Sequence, residues 1–220
     1  MARIRNGERE YRQMVDEEFR RLAPIYDWFA LLVRGMRRRA AAMAQVPDGG
    51  RVLDVATGTG EQALAFARLG HGVDALDLSE DMLAVARRKD REGRVRWHHG
   101  DAAQLPFADD TFALTTVSLA LHDMPRPVRL AVLAEMRRVT RPDGRVLVVD
   151  YGFPRRGVLR AFHRWFFGLF ELDFFDDFVS EDVRDLVAAA GLQPLRQAYS
   201  HLHAFTLLLC DPRKAGDERG

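Results

Sequence analysis

Acidic residues and glycines recur along this chain at the ends of short apolar runs. Asp54 lies inside the first run, and Gly58 and Gly60 follow it at once. Asp77 and Asp101 come at the ends of the next two runs. Glycine has no β-carbon, so a glycine turn lets the backbone approach a ligand closely, while carboxylates accept hydrogen bonds and balance positive charge. The spacing therefore predicts a ligand site beside the glycine turn.

The glycine turn by itself is compatible with two cofactors. With Ala63 it reads Gly-x-Gly-x-x-Ala, and Asp77 stands about 20 residues on, where a dinucleotide site carries the acid that binds the ribose. Two other acids favour S-adenosylmethionine. Asp54 could organise the ammonium group of a cofactor that contains an amino acid, a cation that NAD lacks, and Asp101 could accept a hydrogen bond from the adenine amine. An NAD-linked oxidoreductase remains the alternative.

Apolar runs and helix-forming segments alternate through residue 150, and this alternation predicts the framework of the site. After the strand that carries Asp54, strands are predicted over 73–77, 94–98, 111–118 and 145–150, with helices over 61–69, from Ser79 and over 127–140. Strands 192–200 and 203–210 form a final pair. We therefore predict an α/β fold: a Rossmann-like doubly wound, mostly parallel seven-stranded sheet with helices on both faces and a C-terminal antiparallel strand pair. Ligands of such sheets bind at the carboxyl ends of the strands.

The flanking regions have a different composition. Apolar residues at helical spacing before and after Pro24 predict two amphipathic helices, and thus an N-terminal helical cap over 1–46. The main domain is predicted over 47–212, and 213–220 as a disordered tail. Within the domain, 155–190 is an aromatic-rich segment expected to cover the substrate, with these aromatic residues: Phe162, Trp165, Phe166, Phe167, Phe170, Phe174, Phe175 and Phe178.

Composition narrows the classes of partner. The 33 basic and 32 acidic residues leave a net charge of +1, which gives no reason to expect a nucleic acid. The single cysteine, Cys210, cannot form a disulfide framework or a thiolate metal site, and no cluster of carboxylates accompanies His201 and His203, so no metal is expected. We see no signal peptide and no apolar run of the ~20 residues that span a membrane. A cytoplasmic protein is predicted, with peripheral contact at the inner membrane face through basic residues 37–39 as an open alternative.

Taken together, the motifs resemble one enzyme family over roughly residues 20–150. The segments that carry the resemblance are Val52–Gly60, Asp77–Ser79 with Met82-Leu83, Gly100–Ala102 with Leu105–Phe107, and Arg138-Val139 through Gly144–Leu147. They resemble the class I S-adenosylmethionine-dependent methyltransferases. Leu22–Asp27 and Thr116–Asp123 are similar to the ubiquinone/menaquinone-biosynthesis methyltransferase group and its small-molecule relatives. Trp28-Phe29 and His122-Asp123 differ from the Met-Asn and Arg-Asn of that group.

The resemblance implies a role for each cofactor residue. Asp54 and the Ala56–Gly60 backbone, which includes Gly58 and Thr59, would hold the methionine end, with Ser118 on the same side. Asp77 would bind the ribose hydroxyls. Leu78 and Met82 would pack on the adenine, and Asp101 with Ala102 would bind its edge.

The sequence says less about the residues that contact the methyl acceptor than about those that bind the cofactor. Methyl transfer is an in-line displacement that depends mainly on alignment in a dry site. His122, after the fourth strand, is predicted as a general base, and Tyr26, Tyr151 and Trp165 as substrate contacts. The aromatic segment favours a small hydrophobic or lipid-like acceptor, such as a lipid, a polyketide or a quinone-like ring. A non-catalytic S-adenosylmethionine-binding protein is a further alternative, and a homodimer is compatible with the sequence.

Overall fold

The computed structural model describes residues 34–152, 178, 181–200 and 204–212. Most of the predicted N-terminal cap, most of the aromatic-rich segment and the whole predicted tail lie outside the described residues. Two of the predicted substrate contacts, Tyr26 and Trp165, lie there as well. The predictions made for these regions, and the division into domains, stay predictions.

The described elements alternate as the sequence predicts. They are α1 (Arg34–Ala44), β1 (Arg51–Val55), α2 (Glu61–Ala67), β2 (Gly72–Asp77), α3 (Glu80–Lys89), β3 (Val95–His99), β4 (Phe112–Ser118), a short 3₁₀ helix (Leu121–Asp123), α4 (Arg126–Val139), β5 (Thr140–Tyr151), α5 (Val183–Ala189), β6 (Gln193–Ser200) and β7 (Phe205–Asp211). None of the helices in these ranges is long and apolar enough to cross a membrane.

The seven described strands form one sheet in the order β3-β2-β1-β4-β5-β7-β6. The pairs among β1 to β5 are parallel, whereas β7 runs antiparallel to both β5 and β6. The predicted fold class is therefore confirmed. Because β2 lies on one side of β1 and β4 on the other, the strand order reverses at β1, and this leaves a crevice at the carboxyl ends of the strands.

Helices bury both faces of the sheet, which explains why its central strands are almost continuously apolar. On one face, Met36 of α1 and Phe66 of α2 belong to the same buried cluster as Leu114 of β4. On the other face, Met136 of α4 and Leu186 of α5 pack in a cluster with Leu53 of β1 and other strand residues. Two cores of this kind hold the carboxyl ends of β1, β2 and β4 in fixed positions.

One boundary differs from the prediction. The segment after α4 is predicted as a turn before a strand at 145, but β5 begins at Thr140, which pairs with Phe112. The pairing then shifts between Phe112 and Leu114, so the intervening residues bulge out of register. Gly144 lies in this bulge, where a β-carbon would meet the backbone oxygen of Ala113 at 2.8 Å. The glycine is required here by close packing of two strands.

Candidate active site

A cleft opens at the carboxyl ends of β1, β2 and β4, where the sequence predicts the site. Most of the predicted cofactor residues line it: Ala56, Gly58, Thr59, Asp77, Leu78, Met82, Asp101, Ala102 and Ser118. The structure thus brings together residues that lie as far apart in the chain as Ala56 and Ser118. Asp54 and Gly60 do not line the cleft. Both lie directly behind the residues that do.

The glycine turn is joined to the end of β2 by Asp77. The Gly58 N–H donates to Asp77 Oδ2 at 2.6 Å, and the Ser79 N–H donates to Oδ1 at 2.9 Å. Burial raises the pKa of Asp77, and these backbone hydrogen bonds oppose the rise. Ser79 is the N-cap of α3, as predicted, and accepts from the Met82 N–H at 3.4 Å. One carboxylate therefore positions the two loops on either side of the cleft.

Gly60 has a structural role of its own. Its φ of +81° lies in the left-handed region that glycine adopts most easily. A β-carbon at this position would meet a ring atom of Trp97 at 2.5 Å. The indole of β3 therefore packs directly against the turn at the start of α2, and only glycine leaves it room.

Asp54 is completely buried beneath the floor of the cleft. The Thr57 hydroxyl donates to Oδ2 at 2.5 Å, while Oδ1 has no hydrogen-bond partner among the described residues. Burial raises the pKa of Asp54 to about 7, although the Thr57 hydrogen bond and the charge of Arg37 oppose the rise. Burying an ionised carboxyl group at this position is costly, because the partners around it offset only part of the lost hydration.

Other buried polar atoms also lack hydrogen-bond partners within the described part of the chain. They are the Thr116 and Ser118 hydroxyls and both amide atoms of Gln62. Thr116 is the neighbour of Asp54 in the β1–β4 register, and Ser118 follows two positions further on the same face of β4. Each buried polar group without a partner costs about 1–3 kcal/mol. The ammonium and carboxylate groups of an amino acid are suited to form hydrogen bonds with polar atoms of this kind.

The opposite end of the cleft is formed by the loop after β3. Asp101 Oδ1 accepts from the Ala103 N–H at 2.9 Å, which shapes the loop at the cleft wall. Arg138 of α4 holds the rest of this loop by donating to the carbonyl oxygens of Leu105 at 3.0 Å and Phe107 at 2.8 Å. Glu135 adds a hydrogen bond from the Leu105 N–H at 2.8 Å. Hydrogen bonds to two side chains of α4 therefore hold this loop in place.

The third wall of the cleft is apolar. It is formed by Leu119, Ala120, Met124, Val128 and Val132, from the segment after β4 and the first turns of α4. Asp123 is the charged residue that this segment places in the wall, and its side chain is only 9% exposed. A ligand on this side would meet hydrocarbon and one carboxylate.

His122, the predicted base, lies behind Asp123. Its Nε2 is 3.1 Å from Asp123 Oδ1 and its Nδ1 is 2.8 Å from Asp150 Oδ1. Burial by itself would lower the pKa of His122, but the two carboxylates outweigh it and raise the pKa to about 9. The imidazole is therefore protonated at neutral pH, with both N–H groups directed at carboxylates. A ring that carries both protons would have to lose one before it could act as a base. The role of His122 as the base stays a prediction.

Tyr151, a predicted substrate contact, is half-buried beside His122, with ring centroids 4.6 Å apart, and stacks on Phe205. It is not part of the cleft wall described above. Sequence reasoning named Arg37 only as part of a basic cluster and did not place it in the cleft, which it lines from α1. It gave no role to Asp150, which holds His122. Asp150 could have been noticed, because it is an acid at the carboxyl end of an apolar strand, as Asp77 is.

Among the residues that the structure describes, no group of histidine, cysteine or acidic residues is arranged to hold a metal ion.

Comparisons with known proteins give the family. A family model described as a methyltransferase domain matches residues 52–144. The demethylmenaquinone methyltransferase of Renibacterium salmoninarum is 40% identical over 146 residues, which cover 64% of this chain and 60% of the relative. The chain thus spans about three fifths of that relative's length. The demethylmenaquinone methyltransferase of Deinococcus radiodurans is 35% identical, with coverage of 70% and 67%. A candidate methyltransferase from Bacillus halodurans C-125 has a similar crystal structure, with a TM-score of 0.60, 29% identity and coverage of 74% and 71%.

The cofactor of this family is S-adenosylmethionine, and the cleft fits it chemically. The row of buried polar atoms without partners, which includes Asp54 Oδ1, complements an amino-acid group. The carboxylates of Asp77 and Asp101 line the same cleft as the apolar side chains of Leu78 and Met82, a combination that suits a nucleoside. An NAD-linked oxidoreductase is not favoured by any of these matches. The family model, the relatives and the arrangement of the cleft show that this chain belongs to the S-adenosylmethionine-dependent methyltransferases.

Proposed function

We propose that the protein transfers a methyl group from S-adenosylmethionine to a small apolar acceptor of the quinol type. The observation that supports this most strongly is the division of one cleft into two chemically different walls. The wall formed by the glycine turn, β2 and the loop after β3 is polar and presents Asp77 and Asp101. The wall formed by the segment after β4 and by α4 is apolar and contains Asp123. Such a cleft can hold a nucleoside on one side and a hydrocarbon-rich ring on the other.

The cofactor roles follow from the positions of the polar groups. Asp54, beneath the cleft floor, would balance the charge of the ammonium group at the methionine end, and the Ser118 hydroxyl would lie on the same side. Arg37 in the cleft wall would face the carboxylate of the methionine end. Asp77 would bind the ribose hydroxyls through oxygens already fixed by Gly58 and Ser79.

The adenine would lie between the apolar side chains of Leu78 and Met82, with Asp101 and Ala102 at its edge. These loops are held by hydrogen bonds within the protein. We therefore expect the cofactor to meet a largely formed site.

Methyl transfer depends more on the alignment of the donor and the acceptor than on catalytic side chains. When bound, the cofactor supplies an electrophilic methyl group on a sulfonium. The residues of the apolar wall, Leu119, Ala120 and Met124 among them, exclude water and limit the orientations of the acceptor. Holding two reactants in line in this way lowers the barrier by several kcal/mol without any covalent contribution from the protein.

The quinol-type acceptor is supported by the names of the relatives. Several are demethylmenaquinone methyltransferases, and others are ubiquinone/menaquinone biosynthesis C-methyltransferases. The apolar wall is consistent with an acceptor of this hydrophobicity. The pair His122-Asp123, where that group has Arg-Asn, gives this chain a different charge arrangement beside the acceptor. We therefore expect a ring acceptor related to, but distinguishable from, the acceptor of the relatives.

An acceptor screen would test the proposal. The protein is incubated with S-adenosylmethionine and, separately, with a short-chain demethylmenaquinol, a set of small phenols, and phospholipid vesicles, and release of S-adenosylhomocysteine is measured. We expect release with the quinol, together with a product heavier by one methylene group. Asp77→Ala is the matched control and should lose cofactor binding and release together. Binding of S-adenosylmethionine without release for any acceptor would refute methyl transfer and favour a non-catalytic binding protein.

A further inference from the structure

We propose that Asp123 accepts the proton that the methyl acceptor loses, and that His122, held by Asp150, positions the Asp123 carboxylate. The inference deepens the proposed function and rests on it. In this arrangement the proton of the methyl acceptor passes to Asp123, which lines the acceptor side of the cleft, and His122 positions Asp123 without acting as the base.

The geometry places the three side chains in a line that ends at the cleft. Asp150 is fully buried, His122 lies in front of it, and Asp123 forms part of the apolar wall. The contacts are 2.8 Å from His122 Nδ1 to Asp150 Oδ1 and 3.1 Å from His122 Nε2 to Asp123 Oδ1. The His122 ring itself is not part of the described wall. Of the three groups, Asp123 is the one that an acceptor in the cleft would meet.

The rear of this line is rigid. Asp150 Oδ1 accepts from the Tyr151 N–H at 2.8 Å, and Oδ2 accepts from the Leu121 N–H at 3.0 Å. The Asp150 carboxylate therefore joins the end of β5 to the start of the 3₁₀ helix that carries His122 and Asp123. Tyr151 also packs edge-on against the His122 ring, which fixes the plane of the imidazole. A ring held in this way directs its second N–H at one point, the Asp123 carboxylate.

The charges favour the same assignment. Asp123 and Asp150 flank His122, and Arg129 is the nearby cation, fully buried and bonded through Nε to the Leu121 carbonyl at 3.0 Å. Arg129 also approaches Glu181, with 3.9 Å between Nη1 and Oε2. The carboxylates raise the pKa of His122 to about 9 against the effect of burial, so the ring already carries its proton at neutral pH. The ring therefore donates an N–H toward each carboxylate, and Asp123 is the one of the two that lines the cleft.

The step balances as follows. A hydroxyl or acidic carbon of the acceptor loses its proton to the Asp123 carboxylate. The electron pair of that bond, directly or through the aromatic ring, forms the new bond to the methyl group. The sulfur–methyl bond breaks, and its electrons stay on sulfur, which becomes a neutral thioether. The proton then leaves Asp123 for water, while His122 keeps its own protons throughout.

Four variants separate the roles. Asp123→Asn removes the charge and the proton acceptor with little change in shape, and we expect kcat with the quinol to fall about a hundredfold or more. The dissociation constant for S-adenosylmethionine should stay within threefold. His122→Ala should also lower kcat, whereas His122→Gln keeps an N–H near the position of Nε2 and should recover part of it. Asp143→Asn, an exposed acid beside Arg141, is the matched control and should behave like the wild type.

The outcomes are distinguishable. Thermal denaturation and cofactor titration of each variant show whether it is folded, and Asp123→Ser replaces Asp123→Asn if the latter is not. If the wild type turns over the quinol and a folded Asp123 variant keeps kcat within twofold, the inference is refuted while the proposed function stands. If His122→Gln is no better than His122→Ala, the positioning role of His122 is refuted. If the wild type turns over no acceptor, the proposed function fails and this inference fails with it.

Discussion

Replacing Asp54 by asparagine should make the stability of the cofactor-free protein less dependent on pH. Asp54 is the completely buried acid below the cleft floor, and burial raises its pKa from 3.8 to about 7. The folded protein therefore binds this proton more tightly than the unfolded chain does. Stability from this group is fully present below pH 3.8, is lost as the pH rises toward 7, and changes little above it. Asparagine has a similar shape and does not titrate.

The size of the effect follows from the two pKa values. They differ by about three, which at 1.36 kcal/mol for each pKa unit corresponds to a cost of about 4 kcal/mol for keeping the ionised carboxylate buried. Between pH 5 and pH 8 the wild type should lose about 2.5 kcal/mol through this group alone. For a chain of this length, that is a shift in Tm of roughly 5–10 °C. The comparison between two pH values cancels any constant effect of the substitution itself.

The assay is thermal denaturation of the wild type and Asp54→Asn at pH 5 and pH 8, with Asp143→Asn as the exposed control. We expect Asp54→Asn to gain stability relative to the wild type on going from pH 5 to pH 8, and the control to show no such gain. Added S-adenosylmethionine should then stabilise the wild type more than Asp54→Asn at pH 8, because an ammonium group nearby favours the ionised carboxylate. Parallel curves of Tm against pH for the wild type and Asp54→Asn would refute the reasoning.

Three further substitutions test the framework of the site. Gly60→Ala should destabilise the protein by about 1–3 kcal/mol, measured by urea denaturation, because of its positive φ and the collision with Trp97; an unchanged midpoint would contradict the close packing. Asp77→Asn should raise the dissociation constant for S-adenosylmethionine at least tenfold by calorimetry, because a neutral amide holds hydroxyls more weakly than a carboxylate does; equal affinity would remove Asp77 from the site. Arg129→Met should cost about 2–4 kcal/mol, because it removes the hydrogen bond to the buried Leu121 carbonyl and leaves Glu181 with Arg126 as its basic partner; a value near zero in denaturant titration would show that the buried arginine is dispensable.

The sequence by itself determined the fold class of this protein and the position of the site in the fold. Alternating apolar runs and helices predict a doubly wound sheet because parallel strands need crossovers and are buried on both faces. Gly58, Asp77 and Asp101 could be placed together without coordinates, since each follows a strand and parallel strands end at one edge. Ser79 was recognisable as an N-cap because capping is a local interaction between neighbours in the chain.

Only the tertiary structure decided what the charged residues do. The sequence places Asp54 and His122 at the site, but it does not show that Asp54 lies under the floor or that His122 is held between Asp123 and Asp150. Asp150 is 28 positions from His122, and Arg37 reaches the cleft from a helix before the sheet. The physical reason is that apolar periodicity reports which face of an element is buried. The protonation state of a group depends instead on charges and solvent brought to it by distant segments, and these are known only when the elements have packed.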